Sequence, residues 1–226
     1  MKVQAERAAP IVAKAVIFDM DGTIIDTLQI WGDVDRKFLS KRGLPVPPDY
    51  LKSISLMSFD CAAQYTRERF SLNESVEDIL NEWIEFAEHE YVNSAKLFPH
   101  VLEYLDELKK SGVKIALATA AIKRFYEKAL SANGILSYFD VLCSVEEVGV
   151  GKTEPAVYLL TMKKLGVEPH ECVIFEDVEQ AAITAVKTGA KVYLVHSKNP
   201  LEQEHENINV IEDFRQAPLV QLTIDS

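Results

Sequence analysis

The chain has 226 residues, 48% of them hydrophobic, and its 35 acidic against 24 basic side chains give a formal net charge of −11. That length buries a sizeable core, as one domain or as a domain with an insert, and the acidic balance argues against nucleic acid as a partner, because backbone binding needs clustered Lys and Arg. No apolar run is long enough to span a bilayer, and the polar residues 1–10 lack the apolar core of a signal peptide, so a cytoplasmic protein with no membrane partner is expected.

The first apolar run, residues 11–18, is broken only by Lys14 and reads as a strand buried on both faces of a parallel sheet. It stops at Asp19 and Asp21, which an extended chain points the same way, with Met20 turned aside. Gly22 then permits a sharp turn at positive φ. Ligands of open α/β sheets sit outside the carboxyl ends of strands, and two like charges this close favour a cation there, a divalent metal above all. After Asp26 the period changes: Ile30, Val34 and Phe38, with Trp31 and Leu39, predict one face of a helix ended by Gly43, Pro45, Pro47 and Pro48. A second helix is expected over residues 60–70. A third carries Ile79, Trp83, Ala87 and Tyr91, with Ser75 as N-cap, and its many acidic residues predict a solvated face.

Three helices with no strand between them predict an inserted helical subdomain. The α/β pattern resumes with a helix over residues 100–110 that stops at Ser111-Gly112, then a strand over 113–119. Further helices are expected near 123–133, 155–165 and 181–188. Strands are expected at 139–144, 172–175 (running into Glu176-Asp177), 191–195 and 208–211. This alternation predicts an α/β fold: a doubly wound, Rossmann-like parallel sheet with an inserted all-α subdomain. Cys61, Cys143 and Cys172 are isolated and odd in number, and are expected as reduced, buried thiols.

Four short stretches stand at predicted strand ends or in the loops beyond them. Singly, each has a plain alternative: Asp19 and Asp21 in an Asp-rich turn, Thr119 a common strand-end residue, Lys152 an exposed loop lysine, Glu176-Asp177 an acidic N-cap. Together, Phe18-Asp19-Met20-Asp21-Gly22-Thr23, Thr119, Gly151-Lys152 and Glu176-Asp177 resemble, in order, the four motifs of the haloacid dehalogenase-like hydrolases. The resemblance runs over about residues 12–195. It implies a catalytic core of residues 1–26 and 97–226 and an α-helical cap of residues 27–96, expected to move as a lid over bound phosphate. It also implies phosphoryl-transfer chemistry. Asp19 would form an aspartyl-phosphate, and Asp21 would serve as acid and base. Mg²⁺ would be held by Asp19, the Asp21 carbonyl and the Glu176-Asp177 pair, and the phosphate by Thr119, the backbone at Ala120 and Lys152. Relatives that cleave carbon–halogen bonds lack an acid–base Asp in the second position, so Asp21 points to phosphate chemistry.

The chain departs from the family pattern at Ala120-Ala121, Thr153, Val178 and Ala181, none of them a central catalytic group. The cap and the acidic pair most resemble the β-phosphoglucomutase and phosphoglycolate phosphatase branch. The mutases carry a histidine where this chain has Trp31, which favours hydrolysis; Trp31 either faces the site or packs in the cap. Lys52 and Arg67 are further cap candidates for substrate contact. The expected function is a monomeric, Mg²⁺-dependent phosphatase acting on a small phosphorylated metabolite. A sugar-phosphate mutase is the first alternative, and a non-catalytic phosphate-binding or signalling protein the second.

Overall fold

The apolar run near the N-terminus is two strands rather than one. In the computed structural model, which describes residues 6–27, 29–54, 57, 59–196 and 207–222, β1 (Ile11–Val12) pairs in parallel with Val220–Gln221, whereas β2 (Ala15–Phe18) belongs to a different sheet. Lys14 is the cause. Its ammonium pairs with Glu171 at 2.6 Å and its N–H donates to the Glu171 carbonyl, while Ala13 N–H still bonds to Gln221. The chain changes hydrogen-bonding partner at the one polar residue of the run.

From β2 the chain passes through β3 (Ile25–Asp26), α1 (Ile30–Lys41), α2 (Tyr50–Ile54), α3 (Phe59–Arg69), α4 (Val76–Asn93) and β4 (Lys96–Leu97). It continues with α5 (Val101–Lys110), β5 (Lys114–Thr119), α6 (Lys123–Ala132), β6 (Val141–Ser144), α7 (Ala156–Leu165) and β7 (Cys172–Glu176). α8 (Glu179–Val186), β8 (Lys191–Val195), β9 (Ile208–Ile211) and β10 (Val220–Gln221) complete it. Two compact units result: Met1–Asp26 with Lys96–Ser226, and Thr27–Ala95. Lys96 falls in the first because it pairs with Asp26 where β3 and β4 run antiparallel.

The first unit is built on a six-stranded, all-parallel sheet in the order β6-β5-β2-β7-β8-β9. The chain leaves central β2 first to one side and later to the other, so β2 marks the switch point of a doubly wound sheet. On one face Ile17, Ala118, Ile174 and Leu194 pack in a core with Tyr158 and Met162 of α7 and Ala182 and Ala185 of α8. On the other, register puts Phe18, Phe175 and Tyr193 level on adjacent strands, and their rings stack at 5.2 and 5.3 Å. Tyr104 of α5 and Phe214 close over them edge-on and tilted. β6 starts at Val141, later than the apolar pattern suggests, because the Asp140 carboxylate accepts from Ile115 N–H in the place of a ladder carbonyl.

The second unit is all helical. α1, α3 and α4 bury Phe38, Trp83, Ala63 and Ile79, and α2, which the Pro-rich stretch conceals in sequence, brings in Tyr50. Trp31 is not on the buried face of α1 and is 38% exposed. The acidic side of α4 is only partly solvated: Arg42 lies over the Phe38 ring and binds both Glu74 and Glu82, and Lys41 takes the other oxygen of Glu82. Cys143 and Cys172 are buried free thiols, but Cys61 is exposed, on the outward side of α3. Among the described residues no helix is long and apolar enough to cross a membrane.

Ser75 caps α4 through a complete capping box, its hydroxyl accepting from Asp78 N–H while the Asp78 carboxylate accepts from Ser75 N–H. Ser75→Ala is expected to destabilise the helical unit by about 1 kcal/mol, read as a lower urea midpoint in far-UV circular dichroism with an unchanged slope.

Candidate active site

The sheet register decides which side chains meet. Phe18 pairs with Phe175, and the ladder continues one step, Asp19 N–H donating to Phe175 O at 3.0 Å. Asp19 and Glu176 therefore leave adjacent strands at one level and on one face, the α7 face, because paired residues of parallel strands share a side. From that face Tyr158 donates to Glu176 Oε1 at 2.6 Å, and Lys152, in the loop before α7, reaches the same oxygen at 2.6 Å. The ammonium also binds Asp19 Oδ1 in a short charge-assisted contact.

Beyond Asp19 the chain makes a tight turn in which Met20 O accepts from the N–H groups of Thr23, Ile24 and Ile25. The Thr23 hydroxyl is thereby aimed back at Asp19 Oδ2, 3.1 Å away, with Asp177 Oδ1 at 3.4 Å. Gly22 has φ of +82°, and a Cβ there would fall 2.0 Å from Asp177 Oδ2. The glycine is needed twice, for the backbone conformation and for the room Asp177 occupies. Asp19, Glu176 and Asp177 each present an oxygen within 4.8 Å of the others. Asp21, half-buried, stands outside that trio, its backbone bridged to Ile25.

The charges explain themselves. Burial, then the Asp19 charge, pushes the Asp177 carboxyl up to about 7. Burial alone would push Lys152 down, but the Asp19 and Glu176 carboxylates outweigh it and hold the ammonium above its ordinary value. Glu176 is pushed up by burial, against the pull of Lys152. Thr119, fully buried at the end of β5, accepts from Ala121 N–H at 3.0 Å; among the described residues its own proton has no acceptor. Ala120, the next residue, is exposed.

In the helical unit, Trp31 meets Phe59 edge to face at 5.3 Å and lines a cavity of about 570 Å³ with Asp35, Arg36, Met57 and Trp83. Arg67 is not among the residues lining it; its buried Nε has no hydrogen-bond partner among the described residues. Lys52 lies in α2, and its side chain is outside the described residues. Sequence reasoning missed Thr23 and Tyr158, and it missed Asp35, buried against Tyr50 and pushed up to about 7 by that burial. Thr23 had a signal, its place directly after Asp-x-Asp-Gly. Tyr158 and Asp35 had none, since each reads as an ordinary helix position.

Carboxylates, an ammonium and a hydroxyl gathered at the switch point of a doubly wound sheet define a class: an α/β enzyme whose chemistry lies at the carboxyl ends of its strands. The chain belongs to the haloacid dehalogenase-like hydrolases, whose family pattern matches residues 16–195. It is 30% identical over 188 residues to the phosphorylated carbohydrates phosphatase of Thermotoga maritima, covering 82% of this chain and 87% of that one. It is 29% identical over 217 residues to hexitol phosphatase B of Escherichia coli, covering 92% and 94%. A solved Thermotoga maritima structure, described as a candidate β-phosphoglucomutase, matches with a TM-score of 0.77 at 30% identity over 84% of this chain and 88% of that one.

Because Asp177 is pushed up to about 7, the folded protein holds a proton between about pH 4 and 7 that the unfolded chain lacks. Its contribution is fully present at low pH and is lost as pH rises through about 7; Asp35 adds the same sign. In chelator, thermal stability should fall from pH 5 to 8, and Asp177→Asn should flatten that fall by roughly 1–2 kcal/mol. Thermal unfolding at four pH values checks this, and an equal slope in the variant would refute it.

Proposed function

We propose that the protein is a Mg²⁺-dependent phosphatase that hydrolyses a small phosphorylated metabolite, of the sugar or sugar-alcohol class, through a phosphoenzyme at Asp19. The observation that carries this is the grip on Asp19, one oxygen held by Lys152 and the other by Thr23, beside a second carboxylate whose charge is disfavoured. The named relatives, a carbohydrate phosphatase and a hexitol phosphatase, support the substrate class.

The residues fit a hard divalent cation. Asp19 and Asp177 offer oxygens within 4.8 Å of each other, and burial with like charge makes Asp177 a group that a dication would restore to its ionised form. Glu176 is already shared by Lys152 and Tyr158, so we assign it to holding the ammonium rather than to the metal. Asp19, the Asp21 carbonyl and Asp177 would hold Mg²⁺, which supplies positive charge between carboxylates and phosphate.

Asp19 attacks phosphorus in line, the alcohol leaves, and water then releases phosphate from the acyl phosphate, so one hard displacement becomes two easier ones. Asp21 gives a proton to the leaving oxygen and later takes one from the attacking water. Lys152 serves as a point charge on the phosphoryl oxygens while Glu176 and Tyr158 fix its position. The Thr119 hydroxyl, oriented by Ala121 N–H, has its proton free to donate to a phosphoryl oxygen. Residues Thr27–Ala95 act as the cap that reads the organic part of the substrate, and Trp31 is exposed enough to take part.

A panel of phosphomonoesters assayed for phosphate release should show turnover with Mg²⁺ and none in excess chelator; full activity in chelator would sink the reading. Asp19→Asn should abolish both turnover and covalent labelling by an acyl-phosphate donor, seen by mass spectrometry. Asp21→Asn should lower kcat by roughly 10²- to 10⁴-fold while leaving Asp19 able to be labelled.

The match to a candidate β-phosphoglucomutase keeps a mutase as the second reading. Indole offers one neutral donor, so Trp31 lacks the proton-shuttling capacity of the histidine that the mutases carry there. With a hexose 1-phosphate and its bisphosphate present, phosphate release should outrun isomerisation in an NMR time course. The reverse order would make the protein a mutase.

A further inference from the structure

His196 follows β8 with φ of +58°, a backbone conformation that side-chain-bearing residues rarely adopt. Its amide donates to Ile211 O at 3.1 Å, so the strain is borne within an ordered edge. The ring lies on Phe98, centroids 4.0 Å apart and 28° between planes, with Phe214 edge-on at 6.1 Å. Each ring nitrogen faces a backbone carbonyl: Nδ1 is 3.1 Å from Glu212 O, and Nε2 is 3.0 Å from Thr23 O. A carbonyl only accepts, so each contact is a hydrogen bond only when the proton is on that nitrogen, and a neutral imidazole makes one of the two.

Thr23 is the residue whose hydroxyl lies 3.1 Å from Asp19 Oδ2 and 3.4 Å from Asp177 Oδ1. We propose that His196 is a positioning residue for the reacting carboxylate: its Nε2–H pins the Thr23 carbonyl and thereby fixes the turn that aims the Thr23 hydroxyl at Asp19. The stacked rings of Phe98 and Phe214 hold the imidazole plane, and the left-handed backbone at His196 brings its far nitrogen to a turn 173 residues away in sequence. The imidazole touches neither Asp19 nor Asp177, so it acts only through Thr23. The inference rests on the reading of Asp19 as the nucleophile for its effect on rate, but the contact itself does not.

Gln and Asn separate the two ring nitrogens. The amide of Gln reaches about where Nε2 stands, and that of Asn about where Nδ1 stands; Asn also tolerates positive φ well, so its variant is not penalised by the backbone. With the full chain and Mg²⁺, His196→Gln should keep kcat within about 3-fold, whereas His196→Asn and His196→Phe should lose roughly 10- to 100-fold in kcat with little change in KM. The amide resonances of Asp19 and of Thr23 to Ile25 should stay in place in His196→Gln and move in His196→Asn. An Asn variant with full kcat and unmoved amides overturns the proposal. If the wild-type protein hydrolyses no phosphomonoester, the proposed function fails instead, and the amide shifts alone decide the His196 contact.

Discussion

Two carboxylates that would rather be apart, Asp19 and Asp177, are forced together by the register of β2 against β7. Nothing local to either stretch causes this. It follows from Phe18 pairing with Phe175, which sets Asp19 level with Glu176 and brings an oxygen of Asp177, the next residue, within 4.8 Å of one on Asp19. Most of the site is a response to that constraint. Lys152 neutralises one side, and Thr23 donates to Asp19 from the other with Asp177 close by. Gly22 removes the one atom that would collide with Asp177. The residual strain shows as a carboxyl at Asp177 that resists ionising, pushed up to about 7 by burial and by the Asp19 charge.

The sheet that imposes this register has reason to be stiff. Phe18, Phe175 and Tyr193 stack across three strands, and Tyr104 and Phe214 fill in around them, so sliding β7 along β2 would break every ring contact that Phe175 makes. On the opposite face, small residues such as Ala15, Ala116 and Ala118 let α7 approach closely, and α7 carries Tyr158 into contact with Glu176. The buried triad of Lys152, Glu176 and Tyr158 is costly to desolvate, and its use is specificity of position: the ammonium has two fixed anions and the Tyr158 ring beneath it, and little freedom to wander.

The helical unit is held by a different device. Arg42 puts its guanidinium on Phe38, donates to the Phe38 carbonyl and binds two glutamates of the neighbouring segments, so one partly buried cation joins α1 to α4. Trp31, on the same helix, is 38% exposed and lies off the buried face. Its ring instead meets Phe59 edge to face at 5.3 Å and lines a cavity that Trp83 also lines.

Order along the chain was legible from sequence because hydrophobic period and turn residues are local properties. The parallel strands, the helical insert, the N-cap at Ser75 and the Asp19-x-Asp21-Gly22 turn all follow from residues close in sequence. The residue types of the site were legible for the same reason: each ends a strand or opens a loop. Partnerships were not. That Lys14 divides an apolar run, that Glu176 serves a lysine and a tyrosine, and that His196 reaches Thr23 depend on contacts between residues remote in sequence. Only the packed sheet brings those groups within hydrogen-bonding distance. The sequence determined which chemistry was available, and the register of β2 between β5 and β7 decided which oxygen faces which proton.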